Sequence, residues 1–279
     1  MPGTLYVVAT PVGNLGDVSL RALEVLRSVS LVACEDTRTT RRLLARHGIK
    51  TRTISYHEHN ERSRAPQLAS RLAGGEDIAL VTDAGTPGVS DPGYRLVAAA
   101  REKEIPVRPI PGASAVLAAL SVSGLPTSSF CFYGFLPRRG SARVQAIESL
   151  ASSTHTAVLF ESPRRAPALL SELAERLGAR RAFLAREMTK VHEEHRAGVL
   201  PELASWVRQE RPRGELTLVI AGAVRENVAL SPEEIQGRFS ELTAQGLRRR
   251  EAVKVLAEET GLPSRLLYRQ LLGAHGGRI

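Results

Sequence analysis

Val81-Thr82-Asp83-Ala84-Gly85-Thr86-Pro87-Gly88-Val89-Ser90-Asp91-Pro92-Gly93 closes an apolar run that begins at Ile78. A short, continuous apolar run of this kind reads as a strand buried on both faces of a parallel sheet, here Ile78 to Thr82. Doubly wound sheets bind ligands outside the carboxyl ends of their strands. The glycines of this loop allow backbone amides and carbonyls to come close to a flat purine. Taken alone, the same residues also spell a tight turn.

Three more segments stand at inferred strand ends: Thr10-Pro11-Val12-Gly13-Asn14, Pro111-Gly112-Ala113-Ser114-Ala115 and Arg213-Gly214-Glu215. There is no GxGxxG after the first strand and no GxxxxGK[ST], so a dinucleotide fingerprint and a P-loop are excluded. Around these loops the chain alternates. Leu5 to Ala9 and Leu31 to Ala33 read as strands, with a helix between them capped by Asp17 or Ser19 and carrying Leu20, Leu23 and Leu26. Tyr94 to Lys103 and Ser114 to Ser123 read as helices flanking a strand at Val107 to Ile110. The pattern predicts an α/β domain over 1–117.

Beyond Gly124-Leu125-Pro126 the strands Phe130 to Phe135, Thr156 to Phe160, Ala182 to Ala185 and Leu216 to Ile220 carry more antiparallel potential. With helices at Pro167 to Leu177 and Pro201 to Gln209 they predict a second α/β domain over 118–226. Residues 227–279 read as a helical extension. Ser231-Pro232-Glu233-Glu234 is a capping box with Pro at the first helical position, and two helices flank Gly261 in the manner of a helix-turn-helix. Its cations, Arg249 among them, suit nucleic acid. With eight cations against six anions over 231–279, a packing or dimerisation appendage is the alternative reading.

The chain carries 38 Lys and Arg, 34 of them Arg, against 29 Asp and Glu, for a net charge of +9. The planar arginine fork suits a polyanion, although a general preference for Arg leaves the same mark. Two cysteines without CxxC spacing argue against a disulfide framework, and no stretch of 18 apolar residues suggests a membrane span. A leader sequence is not apparent, so the expected location is the cytoplasm. His57-Glu58-His59 and His192-Glu193-Glu194-His195 lack HExxH spacing, and no metal site is expected.

LYVVATPVGNLGD, ACEDTRTT, HEHNE, ALVTDAGTPGVSDPG, PIPGASA, GFLPRR, FESPRR and LAREMTK occur in one order along the chain. Together they resemble the bacterial 16S rRNA (cytidine-2′-O)-methyltransferases of the tetrapyrrole-methylase superfamily, the class III methyltransferases. The resemblance spans essentially the whole chain. It implies two α/β domains with S-adenosylmethionine folded between them, a homodimer, and 16S rRNA of the small ribosomal subunit as partner. By position it implies that the cofactor meets Pro11, Gly13, Asp83, Gly85, Thr86, Pro87, Val89, Ser90, Ser114, Ala115, Phe160 and Met188. Met188 stands where the pattern prefers Leu.

Methyl transfer from a sulfonium needs mainly in-line alignment and a group that helps a poorly nucleophilic hydroxyl lose its proton. The candidates are Glu187 and Lys190 first, with the lysine pKa lowered by burial, then Glu35 and Asp36. Glu35 and Asp36 also read as caps of the following helix, and Glu187 as an ion-pair partner of Arg186 or Arg164. Eight cations from Arg38 to Arg64, interleaved with Tyr56 and His57, suggest RNA contact through Arg38, Arg41 and Arg42. Arg138, Arg139 and Arg164 are further phosphate candidates. Two other readings stay open: a tetrapyrrole ring methyltransferase of the same fold, and a non-catalytic RNA-binding or assembly protein.

Overall fold

Apolar strands separated by amphipathic helices build the first half of the chain. In the computed structural model these are β1 (Leu5–Val8), α1 (Leu20–Ser28), β2 (Leu31–Cys34), α2 (Thr37–Arg46), β3 (Thr53–Ser55), α3 (Glu61–Ala73), β4 (Ile78–Val81), α4 (Tyr94–Glu102), β5 (Val107–Ile110) and α5 (Ala115–Val122). The strands form one parallel sheet in the order β3-β2-β4-β1-β5. Successive residues of a strand point to opposite faces. Leu31, Ala33, Ile78 and Leu80 therefore pack with α3 and α4, while Val32, Cys34, Ala79 and Val81 pack with α1 and α2. Burial on both faces is why these strands carry no polar alternation. Ser19 caps α1, accepting from the Ala22 amide.

The second half contains β6 (Phe130–Phe135), α6 (Ser141–Ser152), β7 (Thr156–Glu161), α7 (Ala166–Leu177), β8 (Arg181–Arg186), β9 (Glu194–Val199), α8 (Leu200–Glu210) and β10 (Leu216–Ile220). Its sheet runs β6-β7-β10-β8-β9, with β6 parallel to β7 and the other neighbours antiparallel. Leu184, Leu216 and Leu218 face α6, α7 and α8, while Phe183, Val219 and Val158 face α5. Helix α5 thus crosses position 117 and lends its apolar side to the second sheet.

The structure describes residues 1–224 and 230–272; the expected boundary at 226/227 lies outside them. The chain divides between Ala223 and Val224 into two compact units. The second holds α9 (Pro232–Ala244), α10 (Arg249–Thr260) and α11 (Ser264–Leu272). Ser231 and Glu234 form the capping box, with the Ser231 amide donating to Glu234 Oε2 at 2.7 Å and the Glu234 amide to Ser231 Oγ at 3.2 Å. Ile235, Phe239, Val253, Leu256 and Leu267 make the unit's own core. Among the described residues no helix is long and apolar enough to cross a membrane.

Candidate active site

The end of β1 and the loop after β4 are fastened to each other. Thr10 and Gly85 exchange backbone hydrogen bonds at 2.8 and 3.0 Å, and the buried Thr10 hydroxyl donates to the Thr82 carbonyl at 2.9 Å. Ser114 caps α5, and Thr86 Oγ1 donates to the Ala113 carbonyl at 3.4 Å, tying the loop after β4 to the loop after β5. These strand ends and the facing loops of the second sheet enclose a cleft of about 280 Å³.

Of the residues expected to meet a cofactor, Gly85, Thr86, Val89, Ser90, Ser114, Ala115, Phe160 and Met188 line this cleft. Pro11, Gly13, Asp83 and Pro87 do not, although Val12 and Ala84 beside them do. Pro11 and Pro87 are buried behind the wall, and Gly13 belongs to a groove on its other side. Sequence reading did not single out Asp91, Phe135, Glu161 and Glu215 as site residues, yet they line the cleft. Phe160 is held edge-on by Phe132, with ring centroids 5.0 Å apart. Glu161 is 4% exposed and meets Arg165 at 3.2 Å.

Carboxylates gather at the ends of β2 and β4. The Asp36 amide donates to Asp83 Oδ1 at 3.1 Å and the Asp83 amide to Glu35 Oε2 at 3.4 Å. Burial, followed by the charges of Glu35, Asp83 and Glu215, pushes the Asp91 carboxyl up to about 6; its hydrogen bond with Thr82 does not offset this. Burial also raises Glu35 and Asp83. Asp36 behaves oppositely, its carboxyl lowered to about 2 by Arg38, which it grips through two guanidinium nitrogens at 2.7 to 3.1 Å. It also caps α2 by accepting from the Arg38 amide at 2.7 Å, so the capping alternative holds for Asp36 and not for Glu35.

Glu187 and Lys190 come together on the turn between β8 and β9. Lys190 Nζ donates to Glu187 Oε1 at 2.9 Å, and that oxygen also accepts from the Glu215 amide at 3.0 Å. Glu187 therefore pairs with Lys190, not with Arg186, which meets Glu194, nor with Arg164. Lys190 corrects a second expectation. Burial alone lowers its pKa, but the Glu187 hydrogen bond and the charges of Glu215 and Glu187 outweigh it and the net direction is upward. The same contact holds Glu187 below the usual carboxylate range. The turn is strained, with Glu187 at φ 49° and Thr189 at φ 67°. Gly214, at φ 87°, makes room for it: a Cβ there would stand 2.2 Å from Glu187 Cδ.

The arginines expected at RNA are exposed but differ in their engagements. Arg38 is bound to Asp36, and Arg41 donates to Thr53 Oγ1 at 3.3 Å. Arg42, Arg138, Arg139, Arg164 and, on α10, Arg249 have no hydrogen-bond or ion-pair partner among the described residues. His195 meets Glu193 at 2.9 Å, and among the described residues no cluster of His, Cys, Asp and Glu suits a metal ion. Cys34 and Cys131 are both free.

Comparison with known proteins relates this geometry to a family. Residues 4–204 match the Tetrapyrrole (Corrin/Porphyrin) Methylases. The chain is 48% identical to the ribosomal RNA small subunit methyltransferase I of Synechocystis sp., over 95% of this chain and 96% of that one. It is 49% identical to the protein of that name from Micromonospora olivasterospora, over 96% and 86%, and 40% identical to that of Escherichia coli O157:H7, over 98% and 96%. Solved structures with the same fold include diphthine synthase (TM-score 0.63, 19% identity, 78% of this chain and 90% of that one). A second is uroporphyrin-III-C-methyltransferase from Thermus thermophilus (TM-score 0.54, 22% identity, 78% and 94%).

Proposed function

The chain belongs to the tetrapyrrole methylase family, and on that premise we propose that it moves the methyl group of S-adenosylmethionine onto the ribose 2′-oxygen of a cytidine in 16S rRNA. The acceptor is the small ribosomal subunit, and the enzyme works in the cytoplasm as a homodimer. The extent of similarity carries this reading. The proteins named ribosomal RNA small subunit methyltransferase I match 95–98% of the chain, so most of the tail beyond Ala223 is included, whereas the fold neighbours match 78%.

The residues of the cleft fit S-adenosylmethionine. Val12, Val89, Phe160 and Met188 offer apolar walls to a purine, while Asp91, Glu161 and Glu215 supply carboxylates for hydroxyl, amine and sulfonium groups. When bound, the cofactor supplies a methyl group already activated for displacement. The two α/β halves, 1–117 and 118–226, hold the reacting groups in line from opposite sides.

Lys190, kept charged by Glu187 and Glu215, stabilises negative charge on the acceptor oxygen, and Glu187 fixes its position. Asp91, on the cleft wall, is the carboxylate that receives the ribose proton, with Glu35 behind it and Asp36 serving as the cap of α2. Arg42, Arg138, Arg139, Arg164 and Arg249 present unengaged guanidinium groups to phosphates, joined by Arg38 and Arg41. Exposed Leu117 and Val122 on α5 and Phe130 on β6 offer apolar surface for a second copy.

The test is transfer of labelled methyl to small subunits from cells lacking this activity, followed by nuclease mapping. Label in one alkali-resistant cytidine linkage is the expected result. Cofactor binding without label in RNA would overturn the proposal.

A further inference from the structure

A second depression lies directly behind the wall of the cleft. It encloses about 960 Å³, more than three times the 280 Å³ of the cleft. Two loops separate the cavities by single residues. Val12 faces the cleft and Gly13 the groove; Met188 faces the cleft and Thr189 the groove. Gly13 lets the partition be thin, since a Cβ there would stand 2.6 Å from Lys190 Cγ and 2.9 Å from Thr189 Oγ1.

The lining of the groove contains Arg46, His47, Lys190 and His192 and not one carboxylate. Arg46, in the last turn of α2, and His192, on the β8–β9 connection, are exposed and have no partner among the described residues. They stand on separate elements, so a group between them is held from two sides. Arg46 also continues the row begun by Arg38 and Arg42, one helical turn apart along α2. The rim carries Leu15, 43% exposed, and Val191, 95% exposed, which give a base or ribose an apolar surface. Thr189 Oγ1 and His47 Nε2 are buried without a hydrogen-bond partner. Both residues line the groove, so a hydroxyl or phosphate oxygen seated there is the nearest source of the missing partner.

We propose that this groove seats the phosphodiester backbone of the RNA strand next to the acceptor nucleotide, with Arg46 and His192 on phosphate and Thr189 on a ribose or phosphate oxygen. The inference rests on the rRNA reading above and adds to it the path of the strand. The acceptor ribose, one nucleotide along, reaches the cleft past Lys190, which lies across the partition. Arg46 and Lys190 give the groove a positive lining, with Glu193 and Glu187 set behind Thr189 and Lys190, and such a channel holds a polyanion by counterion release, a contribution that falls with salt.

The experiment uses the full-length protein with three readouts. These are anisotropy of a short fluorescein-labelled cytidine-containing oligoribonucleotide across a salt series, calorimetry with S-adenosylmethionine, and steady-state methyl transfer to small subunits. Arg46→Ala should flatten the log–log salt dependence by about 0.7, the value for one phosphate contact on a single strand. The Arg46→Ala/His192→Ala pair should raise KM for subunits about tenfold or more while kcat and cofactor affinity hold, and Thr189→Val should weaken RNA binding without altering the salt slope. RNA affinity, salt slope and KM all unchanged in the double variant, with wild-type transfer intact, would overturn the groove assignment and leave the methyltransferase reading standing. A wild-type protein that binds S-adenosylmethionine but labels no RNA would instead remove the parent reading.

Discussion

The cleft and the groove share a wall one residue thick, yet their linings are opposite in charge. Asp91, Glu161 and Glu215 line the first, with Arg165 paired to Glu161, and Arg46 and Lys190 line the second, where no carboxylate reaches the lining itself. A sulfonium donor is a cation and an RNA acceptor is a polyanion, so the two sides of the partition sort the two substrates by sign before any specific contact is made. Both signs meet at the partition, as the Glu187–Lys190 pair with Glu215 beside it. The site is thus divided by electrostatics, and the chemistry belongs where the fields meet.

The sharpest way to break the division is to disturb the partition itself. Gly214→Ala places a methyl group 2.2 Å from Glu187 Cδ and puts a Cβ on a residue at φ 87°. Glu187 then leaves its position and Lys190 loses its close partner. We expect kcat for methyl transfer to fall about 100-fold, the cost of misplacing a reacting group by an ångström. Stability should fall by roughly 1–3 kcal/mol from the strained backbone. Single-turnover rates beside a denaturant titration separate the two effects. A variant with lowered stability but full kcat would show that the pair only holds the turn.

Asp91→Asn acts on the cleft alone and makes a pH-dependent prediction. The Asp91 pKa is raised in the folded chain, from 3.8 to about 6. Its stabilising contribution is therefore full below pH 4, where folded and unfolded chains both carry the protonated form, and is lost as the pH rises through 6. At pH 8 the Asn variant should withstand more denaturant than the wild type, and the gap should close near pH 4. Activity should move the other way. Wild-type transfer should rise with pH through about 6 as the carboxylate forms, and the variant should be slow and flat over that range. A wild-type profile with no inflection there would remove Asp91 as the proton acceptor.

Much of this architecture was legible in the chain because its strands are buried on both faces. β1, β2 and β4 appear as unbroken apolar runs, and the loops after β1 and β4 are rich in Gly, Pro and Asp. The elements that escaped reading lack that signature. β3 is three half-buried residues, Thr53–Ser55; α3 carries Pro66 inside; α6 buries only Ile147 and Leu150; β9, Glu-His-Arg-Ala-Gly-Val, is a polar edge strand. The ordered motifs pointed to the loops of the site, but the chemistry within it came from distant neighbours. Lys190 stays charged in part because of Glu215, 25 positions away, and Asp91 in a Ser-Asp-Pro-Gly turn looks like turn chemistry until Glu35 and Asp83 are seen near it. A fold that brings remote carboxylates together leaves no local trace of the field they create.

The smallest expected effect tests how far the cationic side extends. Arg42 sits one helical turn before Arg46, exposed and without a partner among the described residues, but outside the lining of the groove. If the RNA strand leaves the groove along α2, Arg42→Ala should weaken oligoribonucleotide binding about two- to fivefold, the range of an exposed charge contact worth under ~1 kcal/mol. Arg46→Ala should cost more, because it removes a contact inside the groove, and Arg38→Ala less, because Asp36 already holds that guanidinium. Salt titrations of the three variants would read out this order. An Arg42→Ala loss as large as that of Arg46→Ala would mean that the strand lies along the helix face, with the groove at its edge, and the charge division between the two cavities would then describe the donor side alone.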